Sequence, residues 1–276
     1  ATNSQGSLLT LQLGDTSSGI NIQSVTGLDP VKATIVSSAF ANQDGQVYQS
    51  SRRDTRNIVM ALELEPDPTV TNVLGLRRYV YSFFRPKDLI TLKFYVDDTD
   101  DSVEDGYQIT GYVESCANDM FQQDTIINIS VLCMDPDFQD PVTATSAVMT
   151  SADTAATLVP YIGTSPAGYV LTCNFTASVS EFSFYYTDPL SRTWSMDFAY
   201  AFVAGDVLTI STIPGNKYAT LVRAGVTSSV LYAVSPQSIW AQLVQGSNYA
   251  QIHLAGDTGS GKINGSISYN SRFGEL

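Results

Sequence analysis

The second half of the chain is a train of short segments that alternate at period two, and such alternation dictates strands. In TWSMDFAYAF, residues 193–202, Trp194, Met196, Phe198, Tyr200 and Phe202 fall on one side, with small or polar residues on the other. A helix would scatter these five side chains around its axis, whereas a strand puts them on one face. YVLTCNF, EFSFYY, DVLTIST, YATLVR, SSVLYAV, YAQIHLAG and KINGSISYN accompany it as short strand-like segments. Eight such segments, separated by turn residues and with no convincing helix among them, predict an antiparallel β-sandwich.

The first half is also strand-rich. LLTLQL puts Leu9, Leu11 and Leu13 on one face, and NIVMALEL alternates Ile58, Met60, Leu62 and Leu64 against Val59, Ala61, Glu63 and Glu65. LITLKFYV aligns Ile90, Leu92, Phe94 and Val96, and YQITGYVES and TIINISVLC form an expected pair joined by ANDMFQQD. One stretch breaks the rule: TVTNVLGLRRYVYSFFRP spaces Val73, Leu76, Val80 and Phe83 for a helix, with Thr69 or Thr71 as candidate cap and Pro86 as stop. The expected fold is therefore mainly β: an N-terminal sandwich or barrel-like domain with one α-helix, then a C-terminal antiparallel sandwich.

A junction is expected within PVTATSAVMTSADTAATLVP, residues 141–160, which is rich in small and hydroxylated residues. The domains are set at 1–145 and 146–276. Their charges differ: 20 acidic against 9 basic residues in the first, 7 against 5 in the second. Almost all of the net charge of −13 thus belongs to the first domain. Such acidity opposes tight, non-specific nucleic-acid binding, which needs a basic face to displace counterions.

No apolar run approaches the ~18 residues of a membrane helix. The start of the chain lacks a basic segment followed by an apolar one, so no signal peptide is expected. Cys116, Cys133 and Cys173 are odd in number and lack paired spacing, so they are expected as buried apolar residues rather than as disulfides or zinc ligands. The one histidine, His253, falls on the polar face of YAQIHLAG. Neither a metalloprotease, nucleophile-elbow nor phosphate-loop motif occurs. No cofactor is implied.

Three features remain as candidate sites. DDTDDSVEDG gathers Asp97, Asp98, Asp100, Asp101, Glu104 and Asp105, without the alternating oxygen ligands and central glycine of an EF-hand loop. A solvated hairpin tip is the plain expectation. Trp240, in SPQSIWAQL, either plugs an end of the sandwich or stacks on a sugar. Arg52, Arg53 and Arg56 cluster just before a strand, after an Asp44-Gly45 turn, and Arg77, Arg78, Arg85 and Lys87 form a second basic group on and after the helix. Basic groups on so acidic a domain suggest complementary faces between copies.

Several stretches in fixed order resemble the distal tail (Dit) family of siphophages. They are SVTGLDPVKATI (24–35), DGQVYQSSRRDTRNIVM, LRRYVYSFFRPKDLITLKF and GYVESCANDMFQQDTIINISVLCMDPDF (111–138). In the second half GDVLTISTIPGNKYATLV, SIWAQLVQGSN and the closing SISYNSRFGEL are similar to family motifs. The likeness covers residues 8 to 276 and is weakest over 141–168. One departure is Gln139, where the family usually has an aromatic residue.

The resemblance implies a structural virion protein made in the host cytoplasm and located at the tail tip. Residues 1–145 would be the belt that forms a homohexameric ring on the last tube ring. Residues 146–276 would be a galectin-like or carbohydrate-module-like sandwich pointing outwards. The implied partners are copies of itself, the tail tube protein, a tail-tip hub protein and receptor-binding proteins. DNA would pass without tight binding, and no membrane insertion or catalysis is implied. Arg52, Arg53, Arg56, Arg77 and Arg78 would then be ring-interface candidates, and the acidic run a lumen or ring-stacking surface. The alternative reading is a carbohydrate-binding protein that attaches to the host surface through the C-terminal sandwich.

Overall fold

The structure is a computed structural model and describes residues 1–11, 18–41, 44–65, 72–95, 106–118, 125–255 and 261–276. The chain divides into two compact units. The first takes residues 1–139 together with 274–276, and the second takes residues 140–273. The second unit is thus inserted into the first, which residues 274–276 rejoin.

In the first unit the strands are β1 (Ile20–Thr26), β2 (Ala33–Ser38), β3 (Val47–Arg53), β4 (Arg56–Leu64), β5 (Leu89–Phe94), β6 (Tyr107–Asn118), β7 (Ile126–Cys133) and the short β8 (Phe138–Gln139). The helix α1 (Val73–Phe83) lies between β4 and β5. The main sheet runs β1-β4-β7-β6, all antiparallel. Strand β6 pairs with β5 through its first half and with β7 through its second. Gly111 lies close against β7 near this change of partner, and a Cβ there would lie 2.7 Å from the Cys133 sulfur.

Burial follows the expected alternation. Ile58, Met60, Leu62 and Leu64 are buried, as are Ile90 and Leu92, and Leu76, Val80 and Phe83 form the inward stripe of α1. The helix cap is Asn72, whose side-chain oxygen accepts from the Gly75 amide at 2.7 Å. That corrects the expectation of Thr69 or Thr71, both outside the described residues; Asn72 already has the extended backbone a cap requires. Val96 also lies outside them. Over its described residues, 8–11, LLTLQL is not a regular strand: Leu8 makes a single bridge to Thr2, and of these four Leu9 alone is buried, while Leu13 lies outside the described residues.

Strands β2 and β3 pair only with each other, forming a separate two-stranded ribbon. Every residue of β3 is exposed. Gly45, between them, takes a φ of +91°, the left-handed geometry expected of an Asp-Gly turn.

The second unit stacks two sheets. Its strands are β9 (Ala144–Thr145), β10 (Met149–Thr150), β11 (Thr157–Tyr161), β12 (Val170–Phe175), β13 (Val179–Thr187), β14 (Thr193–Phe202), β15 (Val207–Ser211), β16 (Tyr218–Arg223), β17 (Val226–Ser229), β18 (Gly246–His253) and β19 (Ile263–Tyr269). One sheet runs β10-β19-β12-β15-β16-β17 and the other β11-β18-β13-β14. Aromatic rings fill the space between them: Phe175 stacks on Phe202 at 4.3 Å and Phe182 on Phe198 at 4.7 Å. Met196, Phe198 and Phe202 are fully buried, while Trp194 and Tyr200 pack at the margin of the same core.

The stretch 141–160 supplies β9, β10 and part of β11. Its small hydroxylated residues do structural work: Ser146 and Ser151 accept hydrogen bonds from the backbone amides of Ile267 and Ile263 at 3.0 Å each. SSVLYAV is not one strand; β17 ends at Ser229 and Leu231–Ala233 is a turn of 3-10 helix.

Candidate functional site

The arginine cluster lies at the end of β3 and the start of β4, and its members have three different environments. Arg52 is exposed and has no ion-pair partner among the described residues. Arg53 forms a two-pronged pair with Asp137, whose side chain is 1% exposed. Its second nitrogen donates to Oδ2 at 2.8 Å. The hydrogen bond to Asp137, against some desolvation, raises the Arg53 pKa further above its ordinary value.

Arg56 is buried, at 1% exposure. Its Nε donates to the Pro136 carbonyl at 2.6 Å; Nη1 donates to the carbonyls of Gly27 at 2.5 Å and Asp29 at 2.8 Å; Nη2 donates to that of Gly274 at 2.5 Å. The guanidinium carbon sits 4.4 Å over the centre of the Phe138 ring. Burial pulls the Arg56 pKa down, since desolvation outweighs the attraction of nearby acidic groups. An arginine fits because its planar fork carries five donors and four carbonyls surround it. Gly27 helps to shape this cage: it has a φ of +88°, and a Cβ there would lie 2.1 Å from the Asn57 carbonyl oxygen.

Arg56 therefore binds segments of its own unit together, including residue 274 near the chain end, and has no free face for another molecule. Arg53 is likewise engaged within the unit, although its side chain stays 42% exposed. On α1, Arg78 is exposed and Arg77 half-buried, with its Nε lacking a hydrogen-bond partner among the described residues. Asp97, Asp98, Asp100, Asp101, Glu104 and Asp105 lie outside the described residues. Trp240 is half-buried against the core of the second unit, and the Lys217 ammonium lies 5.7 Å from its ring centre. Cys133 and Cys173 are buried but Cys116 only half so, a difference from the expectation of three buried thiols.

Across the second unit's outer face, strand register places His253 beside Ser183 and Ser183 beside Asp197. These residue types suggest a hydrolase, but the order is wrong for one. The Ser183 hydroxyl donates to Asp197 Oδ1 at 2.6 Å, so the serine sits between the carboxylate and the imidazole. A catalytic triad requires the imidazole between them. Among the described residues no group of His, Cys, Asp and Glu side chains gathers as metal ligands.

The ribbon of β2 and β3 exposes large apolar side chains: Ile35 and Tyr48 are 65% and 61% exposed, with Val36 and Val47 beside them and Phe40, just past β2, at 58%. A two-stranded ribbon with no covered face is at best marginally stable in water.

No family model matches the chain, and no curated protein sequence does. Among solved structures, the crystal structure of the SPP1 Dit (gp 19.1) protein, described as a paradigm of hub adsorption apparatus in phages infecting Gram-positive hosts, aligns with a TM-score of 0.69. Identity is 17%, and the alignment covers 94% of this chain and 96% of that one. Two structures of the phage p2 baseplate in its activated conformation, with calcium and with strontium, align at a TM-score of 0.47 and 6% identity, over 95% of this chain and 93% of those. Over nearly its whole length, the chain has the fold of the SPP1 Dit protein.

Proposed function

We propose that the chain is a structural subunit of a phage tail tip, a hub that assembles through its first unit into a ring, in our reading a hexamer, between the tail tube and the host-recognition apparatus. The observation that carries this reading is the likeness of fold to a hub protein along both units. The uncovered β2–β3 ribbon supports it, since a neighbouring copy would cover its apolar side chains. Exposed Arg52 and Arg78, with half-buried Arg77, are the arginines left to meet acidic groups of a neighbour. In the same reading some of the acidic residues from Asp97 to Asp105 would face the lumen or a neighbouring ring; in the lumen they would repel passing phosphates rather than trap them. The tube protein, a tail-tip protein and receptor-binding proteins are the partners. The role is mechanical and not catalytic.

The test is assembly. Mass photometry and negative-stain images should show a hollow ring, in solution at high concentration or on tube tips, and immunogold should mark the tail tip of purified particles. A chain that is absent from virions and stays a single subunit beside tube ends would contradict the reading. Tyr48→Asp with Ile35→Asp should abolish ring formation while leaving the subunit folded.

A further inference from the structure

The outer face of the sheet β11-β18-β13-β14 carries a cleft of about 490 Å³. Its floor includes the row His253, Ser183 and Asp197, with Glu181 two residues along β13 from Ser183. Residues 232–236 form one wall, which is pinned to β14: the Ser235 amide donates to the Asp197 carbonyl at 2.8 Å, and Val234 bridges to Phe198. Tyr232 stands on this wall, 75% exposed, with its ring edge-on to Tyr200.

The hydrogen-bond inventory of the floor restricts the ligand. A hydroxyl has one proton. That of Ser183 is committed to Asp197 Oδ1 at 2.6 Å, and that of Ser195 to Oδ2 at 3.4 Å. The serines fix the carboxylate without neutralising it, and Ser183 turns only lone pairs to the cleft. Glu181 adds a second, exposed carboxylate. Among the described residues no lysine or arginine lines the cleft. An anion would be repelled, and a sugar hydroxyl, which both donates and accepts, would find as side-chain donors among the described lining residues the His253 imidazole alone on the floor, with the Tyr232 and Ser235 hydroxyls on the wall. The arrangement suits a cation that only donates and has a flat face for Tyr232.

We propose that this cleft receives an arginine side chain of a partner protein, its fork donating to Asp197 and Glu181 and its plane resting on Tyr232. This does not depend on the hub reading, because the free chain is the binder. The test is fluorescence anisotropy of a labelled Gly-Arg-Gly peptide with the full chain, against the same peptide carrying citrulline, an uncharged isostere, or lysine. Saturable binding is expected with arginine, weakened about tenfold or more by citrulline, by Asp197→Asn and by Glu181→Gln. Asp197→Asn keeps an oxygen for Ser183, and Glu181 is exposed, so at least the latter variant should fold. Glu114→Gln, which removes a carboxylate from the first unit, should leave binding unchanged. Absence of saturable binding, equal binding of citrulline or lysine peptides, an equal loss with Glu114→Gln, or displacement by a neutral saccharide would each overturn the proposal.

Discussion

Arg53 reaches across 84 positions of sequence to hold both oxygens of Asp137, a carboxylate with almost no exposure. The pair ties the end of the β2–β3 ribbon to the segment that follows β7. Removing the arginine takes two donors from a buried charge, whereas removing the carboxylate leaves an arginine that can turn to water. Arg53→Ala should therefore destabilise the chain by roughly 1–3 kcal/mol, and more than Asp137→Asn does. Urea midpoints of the two variants check this; an equal or reversed order would contradict it.

Arg56 should be far less replaceable. Arg56→Met leaves four inward carbonyls without their donors, and a loss of at least about 3 kcal/mol is expected. Arg56→Lys should rescue little, because one ammonium cannot reach four acceptors spread around a planar fork. Hydrogen exchange in β4 and β7 should rise in both variants, while the second unit stays protected. Uniform loss of protection across both units would argue against so local a role.

Asp206 sets a pH dependence. Its carboxylate accepts from Arg223 Nε at 2.9 Å and Nη2 at 2.6 Å, and from the Val203 amide at 2.9 Å. The Arg223 hydrogen bonds outweigh burial and hold its pKa below the ordinary 3.8. A carboxyl depressed on folding stabilises the folded state fully above its unfolded value, and that contribution fades as pH falls through the folded one. Stability attributable to Asp206 should thus be flat from neutral pH to about 5 and decline below about 4. Asp206→Asn should flatten that part of the profile, as thermal melts at stepped pH would show.

The thiols should be slow to react. Burial pushes Cys116 and Cys133 up to about 11 and Cys173 to about 12. At neutral pH nearly all three are protonated, and the thiolate is the reactive form. An aromatic disulfide reagent should label the folded chain slowly and the urea-unfolded chain at all three positions. Raising the pH should bring out half-buried Cys116 first, read by peptide mapping.

Much of this architecture was legible from period alone. The alternations through NIVMALEL and TWSMDFAYAF place Ile58, Leu62, Met196 and Phe198 in cores, because an inward face must repeat every second residue. The same phase, extended one step upstream of Ile58, points Arg56 inward. Its charge argues for water, and phase prevails only because carbonyls 27, 29, 80 and 218 positions away converge on it. No local pattern assembles those partners. β11 was hidden differently: its Thr157–Tyr161 run includes Pro160 and follows a hydroxyl-rich stretch. The row of His253, Ser183 and Asp197 depends on strand register, which alternation within single strands does not specify.

The return of residues 274–276 orders events in time. Synthesis delivers most of the first unit early, yet Gly274 reaches Arg56 only after the whole second unit has been made. The fourth carbonyl of the cage therefore arrives after the inserted unit has had time to fold. A chain cut before Gly274 keeps the other three carbonyls around Arg56 and lacks this contact. Synthesis of the second unit is in this way registered inside the unit that was begun first.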